Sequence, residues 1–124
     1  MNLDIQLVNK SRSIVLPPDF ATSIAFVSMK NLELTIFVMD PAHPAKKSKP
    51  PGGKFIVSQV AYTKPDGTEP TPDAYTTRAP EGKTIFPILY SSDKIGLKIW
   101  VKCWYMSPTG KPSPVSAAFS IILT

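Results

Sequence analysis

Residues 97–106 alternate between two classes of side chain with a period of two, and this stretch constrains the fold more than any other. Its odd positions hold leucine, isoleucine, valine, cysteine and tyrosine, and its even positions hold lysine, tryptophan and methionine. A β-strand sends successive side chains to opposite faces, so the pattern predicts a strand with its odd positions in a core. The other face carries alternating lysines and indoles, at Lys98, Trp100, Lys102 and Trp104.

The remainder of the chain predicts further short strands, because no segment shows a sustained apolar period of 3.6 residues. The 14 prolines among 124 residues lie mostly between apolar runs, as expected because proline cannot donate to a sheet ladder. Pro87 falls inside one run, which indicates a bulge or an edge strand. The predicted strands cover residues 3–8, 13–16, 23–29, 32–39, 55–63, 84–90, 97–106 and 117–123.

Short strands with turn sequences between them favour an all-β fold, an antiparallel sandwich of two sheets with about seven strands. Tight turns are predicted at residues 30–31, 64–67 and 108–111, where asparagine, glycine or proline occurs. Residues 1–22 are expected to form an N-terminal extension with short strands, packed on a sandwich that covers residues 23–124.

The predicted core comes from the apolar faces of the strongest strands. Its members are Leu34, Ile36, Val38, Leu97, Ile99, Val101, Cys103, Phe119 and Ile121. The strand at 55–63 is apolar on both faces, so either Phe55 and Val57 or Ile56 and Val60 are expected to join this core. That double-sided character predicts a central strand.

The cysteine count, the apolar runs and the net charge limit the class of protein but do not identify a function. The lone Cys103 cannot form an internal disulfide. The N-terminus lacks the features of a secretory signal, and no apolar run reaches the ~18 residues of a membrane helix. A cytoplasmic protein is therefore the default expectation, although a secreted protein without its signal would look the same. The net charge of +5 permits contact with polyanions but is also ordinary for solubility.

The last third of the chain resembles a fibronectin type III or related immunoglobulin-like module, through residues 97–103, 110–116 and 117–123. Over nearly the whole chain, the order of short motifs is similar to a set of short uncharacterised bacterial proteins that end in the same kind of sandwich. The motifs lie at residues 10–12, 15–18, 32–34, 40–41, 48–53, 77–80 and 110–116. The chain departs from them at Val115, where they carry tryptophan, and lacks their helix ahead of the sandwich. The resemblance implies a fold and no activity.

The sequence offers no arrangement typical of an enzyme, a cofactor site or a metal site. The single histidine, His43, lies in a loop flanked by prolines, whereas Cys103 falls on the core face of its strand, where a thiol is inert. The acids Asp66, Glu69 and Asp73 share a loop, but their spacing matches neither an EF-hand nor a zinc site. We expect a protein that is not an enzyme; an enzyme is the alternative only if His43 pairs with acidic residues in the folded state.

Trp100 and Trp104 are the strongest candidates for binding, together with Lys98 and Lys102. Two exposed indoles about 13 Å apart on one face could stack on sugar rings or clamp a peptide. Alternatively, the lysines cover the rings in a cation–π ladder, or the N-terminal segment buries the face. The ladder or covered face is the more common arrangement of amphipathic side chains.

A second candidate is the loop around residues 46–54, which holds Lys46, Lys47, Lys49 and Lys54. Clustered lysines can contact the phosphates of a polyanion. However, the loop has no arginine for base recognition and no aromatic residue for stacking, so nucleic acid is an improbable partner. A solvated loop is the simpler interpretation.

Together these features predict a non-catalytic interaction or spacer module whose partner is a protein or a glycan. Carbohydrate binding through the tryptophan face and weak polyanion binding through the lysine loop are the two alternatives. Membrane insertion is not expected, whereas a homodimer through exposed strand edges stays open.

Overall fold

The computed structural model describes residues 15–124, which form two antiparallel β-sheets. In chain order the strands are β1 (Ser23–Lys30), β2 (Glu33–Met39), β3 (Phe55–Thr63), β4 (Thr76–Thr77), β5 (Ile85–Leu89), β6 (Lys98–Met106) and β7 (Phe119–Ile122). One sheet has the order β1-β2-β5 and the other β4-β3-β6-β7. Two short 3₁₀ helices, Pro72–Ala74 and Ser92–Lys94, lie in the loops. The predicted strand at 3–8 lies outside the described residues.

Both sheets contribute to one hydrophobic core. Six residues predicted for that core are fully buried: Leu34, Ile36, Val38, Ile99, Val101 and Cys103. Phe119 and Ile121 are only partly buried and pack against the core, because β7 is an edge strand. Leu97 is half-buried and precedes β6.

The open question about β3 is resolved by its pairing with β6. Ile56 is fully buried in the core, and Val60 packs against it, so these two residues face inward. Phe55 is 37% exposed, and Val57 is buried on the opposite face, where it is paired with Trp104. The strand is therefore central, as its two apolar faces predicted.

The observed strand bounds differ from the predicted ones where turn geometry decides. Leu32 was expected to begin β2, but Asn31 and Leu32 have φ values of 55° and 63° and form the tight link between β1 and β2. Two consecutive positive φ angles suit the twist of a two-residue hairpin. Pro87 lies in β5 at the edge of its sheet, as expected. The sequence did not predict β4, which has only two residues.

The prediction of a hairpin between the last two strands is wrong for residues 107–118. A tight turn does form, since the Gly110 N–H donates to the Ser107 carbonyl oxygen at 2.9 Å. Instead of entering a strand at once, the chain runs alongside β6 without regular strand structure up to β7. In this segment Ser113 and Ser116 are buried, with relative exposures of 4% and 6%.

The segment before β1 and the segment after β7 lie at opposite ends of β6. Leu16 lies against Gly52, where an added Cβ would sit 2.1 Å from the Leu16 carbonyl oxygen. Nearby, the Phe20 ring packs edge-on against Tyr105, near the end of β6, with ring centroids 6.1 Å apart. At the other end, the Leu123 N–H donates to the Leu97 carbonyl oxygen at 2.9 Å, just before β6 begins.

No helix within residues 15–124 has the length and apolar character needed to cross a bilayer.

Candidate functional site

The outer face of β6 carries the four residues predicted from the alternating pattern. Lys98, Trp100, Lys102 and Trp104 are all half-buried, while the positions between them lie in the core. The face is therefore neither an open aromatic platform nor a fully covered surface. What each side chain contacts decides which interpretation the geometry favours.

Trp100 is held by two side chains, Thr63 and Lys98. Its indole Nε1–H donates to Thr63 Oγ1 at 2.9 Å. The Lys98 ammonium lies 5.3 Å from the ring centroid, in cation–π range. Lys98 also donates to the Gly67 carbonyl oxygen at 3.2 Å, which ties it to the turn after β3. Both the polar edge and one face of this indole are thus already occupied within the protein.

Lys102 covers a residue that the sequence did not single out. Its ammonium lies 4.4 Å from the ring centroid of Tyr75 and 3.6 Å from a Glu69 carboxylate oxygen. Tyr75 is only 8% exposed, and its burial raises the pKa of the phenol. The loop before β4 therefore folds over the outer face. Of the predicted cation–π ladder between lysines and indoles, only the contact of Lys98 with Trp100 forms.

Trp104 has a different environment from Trp100. Its Nε1 atom is buried, and no hydrogen-bond partner for it occurs within residues 15–124. The Tyr75 hydroxyl is in the same condition. Within residues 15–124, these two polar groups are therefore held by packing rather than by hydrogen bonds.

The lysine loop faces a second segment that brings in another lysine. The Lys49 ammonium donates to the Gly82 carbonyl oxygen, and the Thr84 hydroxyl donates to the Lys47 carbonyl oxygen. Between the two segments lies an open cleft of about 450 Å³. Its lining consists of Lys47, Ser48, Lys49, Gly82, Lys83, Thr84 and Ile85. We call this the lysine cleft.

The other two lysines of the predicted loop lie apart from the lysine cleft. The Lys54 ammonium is 5.4 Å from the ring centroid of Phe55. Lys46 lies close enough to Asp40 to help lower the pKa of that carboxyl group, although the largest cause of the lowering is the hydrogen bond from His43. Of the four predicted lysines, Lys47 and Lys49 therefore line the lysine cleft, and Lys46 and Lys54 do not.

Arg78 joins the two sheets on the side where β4 and β5 approach each other. One guanidinium nitrogen donates to Ser58 Oγ on β3 at 2.8 Å, and the other donates to the Pro87 carbonyl oxygen on β5 at 3.2 Å. The same nitrogen lies 3.4 Å from Glu81 Oε2, and the guanidinium carbon is 5.6 Å from the Phe86 ring centroid. No sequence pattern identified this residue as a bridge, because its partners come from separate strands.

Two serines complete the edge of β6. The Cys103 N–H donates to Ser116 Oγ and the Tyr105 N–H donates to Ser113 Oγ, both at 2.9 Å. In return, the backbone N–H groups of Ser116 and Ser113 donate to the carbonyl oxygens of the same two β6 residues. Each serine therefore satisfies a donor and an acceptor of β6.

Cys103 and His43, the two side chains weighed as a nucleophile–base pair, lie in different environments. Burial raises the pKa of Cys103 to about 12, so its thiol stays protonated. His43 Nδ1 lies 3.1 Å from Asp40 Oδ2 on an exposed loop. Within residues 15–124, no three histidine, cysteine or acidic side chains form a group that could hold a metal ion.

Comparisons with known proteins add no assignment: neither a protein-family model nor a curated protein matches this chain.

Proposed function

We propose that the chain is a non-catalytic module of the fibronectin type III kind that acts as a spacer or a connector between other macromolecules. The single observation that carries the proposal is that the segment leading into β1 and the segment following β7 lie at opposite ends of β6. Leu16 lies beside the loop that contacts Tyr105, and Leu123 pairs with Leu97. These sites are separated by about the length of β6, or roughly 26 Å at the rise of an antiparallel strand.

The strand order supports the type of module. A three-stranded sheet formed by the first, second and fifth strands faces a four-stranded sheet in the order fourth, third, sixth and seventh. This strand order supports the proposal of a fibronectin type III sandwich. Membership among the short bacterial proteins that the motif order resembles is part of the same proposal.

The contacts of the β6 outer face also support a structural role rather than carbohydrate binding. A sugar-binding platform needs an accessible ring face. Trp100 has its N–H bonded to Thr63, and the Lys98 ammonium lies over its ring. We therefore expect neither the wild-type chain nor Trp100→Ala to bind on a glycan array. Binding to a defined glycan that this substitution abolishes would restore the carbohydrate alternative.

Force spectroscopy tests the spacer role directly. Residues 15–124 are placed between well-characterised marker domains and pulled from both ends. Because the hydrogen bonds between strands lie perpendicular to a force applied along them, many bonds are loaded together. We expect one cooperative unfolding event with a contour-length gain of roughly 35 nm. Extension without a resolved unfolding event would contradict a spacer that resists force. Turnover of a substrate in a broad hydrolase screen would contradict a non-catalytic module.

A further inference from the structure

We infer that the lysine cleft is a binding site for an acidic peptide segment. This inference goes beyond the proposed spacer or connecting role, and it assigns a partner chemistry to a specific surface. The lysine cleft differs from the predicted lysine loop, because Lys83 from a separate segment forms part of it and Lys46 and Lys54 do not.

The charges that line the lysine cleft are all positive. Lys47, Lys49 and Lys83 belong to the lining, and no carboxylate does. The acid next to it in sequence, Glu81, pairs with Arg78 at 3.4 Å. Within the described residues no carboxylate pairs with Lys47 or Lys83, whereas the partly buried Lys94 and Lys102 each have such a partner. A concave surface with one sign of charge concentrates the field and attracts a ligand of opposite sign.

The walls of the lysine cleft are held before any ligand arrives. The hydrogen bonds from Lys49 to Gly82 and from Thr84 to Lys47 tie its two segments together. Lys49 is thus used in holding the walls, whereas Lys47 and Lys83 are exposed and available. A pre-formed site loses less conformational entropy on binding than a mobile loop does.

The remaining lining residues favour a peptide over a nucleic acid or a neutral sugar. No aromatic ring lines the lysine cleft, so neither bases nor sugar rings can stack there. Ile85 and the lysine methylene chains supply an aliphatic surface between the charges. A Cβ at Gly82 would meet nothing within 4 Å, so its backbone is open to an approaching chain. A peptide that alternates acidic and aliphatic side chains matches these features.

Fluorescence anisotropy with a short labelled peptide of alternating glutamate and alanine tests the inference on the whole chain at low salt. The variant Lys47→Ser/Lys83→Ser removes two charges from the lysine cleft. The matched control Lys46→Ser/Lys54→Ser removes two charges from the same loop outside it. We expect the first variant to weaken binding about tenfold, the effect of losing two surface ion pairs. The control is expected to change affinity by less than about twofold, with both variants keeping the wild-type melting temperature.

Three results would overturn the inference. Equal losses in the two variants would show that net charge alone attracts the peptide. No anisotropy change with the wild-type chain would show that the lysine cleft has no affinity for acidic peptides, and it would leave the spacer role intact, since force spectroscopy measures that separately. Tighter binding of a heparin fragment or inorganic pyrophosphate, with the same dependence on Lys47 and Lys83, would assign the site to another anion.

Discussion

Replacing Arg78 with alanine should destabilise the sandwich more than the loss of any other basic side chain among residues 15–124. The guanidinium is the donor for Ser58 Oγ, which belongs to a fully buried residue, and for the Pro87 carbonyl oxygen. It also pairs with Glu81, with 22% and 28% of the two side chains exposed. The substitution therefore removes one bridge that spans both sheets.

The magnitude follows from these contacts. Leaving the buried Ser58 hydroxyl without its charged donor costs about 1.5 kcal/mol, and the weaker bond to Pro87 contributes about 1 kcal/mol. The half-exposed ion pair with Glu81 adds about 0.5 kcal/mol. We therefore expect Arg78→Ala to lower the free energy of unfolding by about 3 kcal/mol. For a chain of this size the melting temperature should fall by about 12 °C.

Chemical denaturation monitored by circular dichroism measures this change. Lys94→Ala is the matched control, since Lys94 also has an ion pair, at 3.9 Å to Asp93, and a cation–π contact, at 4.9 Å to Tyr62. It lacks a hydrogen bond to a buried group, so its loss should cost about 0.5 kcal/mol. Similar costs for Arg78→Ala and Lys94→Ala would refute the bridging role. A double-mutant cycle with Ser58→Ala should give a coupling energy of about 1 kcal/mol.

Three further predictions concern β6. Ser116→Ala and Ser113→Ala should each lower the free energy of unfolding by about 1–2 kcal/mol, because each leaves a buried N–H of β6 without its acceptor; denaturant titration measures both, and a neutral effect would contradict the pairing. Trp104→Phe should be less destabilising than Trp100→Phe, because within residues 15–124 the indole N–H of Trp100 makes a hydrogen bond and that of Trp104 makes none; equal melting temperatures would count against this difference. Since burial raises the pKa of Cys103 to about 12, its thiol should react with a disulfide reagent at pH 8 only after denaturant is added, and rapid labelling of the native chain would argue for an accessible thiolate.

The fold was predictable where a pattern acts along one strand. The period-two alternation of residues 97–106 correctly placed Ile99, Val101 and Cys103 in the core, because side-chain direction in a strand depends only on position. Leu32 was misplaced, because apolar character suggested a strand whereas the hairpin requires positive φ there. The proline-serine segment at 112–116 reads as a loop, although its hydroxyls pair with β6.

The candidate sites were less predictable, because they depend on segments distant in sequence. Lys47 and Lys49 were named from their own loop, but Lys83 joins them only through the fold. Likewise, the sequence suggested that Lys102 covers an indole, whereas Tyr75 from the preceding loop occupies that place. Charge clusters within one loop are visible in a sequence, whereas a cleft between two loops requires the tertiary structure.

The serine pairing along β6 has a consequence for how the chain is made. β7 pairs only with the first part of β6, from Lys98 to Val101. The rest of that edge, at Cys103 and Tyr105, is closed by Ser116 and Ser113. In a chain that ends before residue 107, the edge of β6 that does not pair with β3 would be exposed over all nine residues, which are rich in aromatic side chains. Such an edge recruits strands from other molecules. During synthesis, β6 therefore stays prone to aggregation until the last residues emerge, so fragments of this protein should be much less soluble than the whole chain.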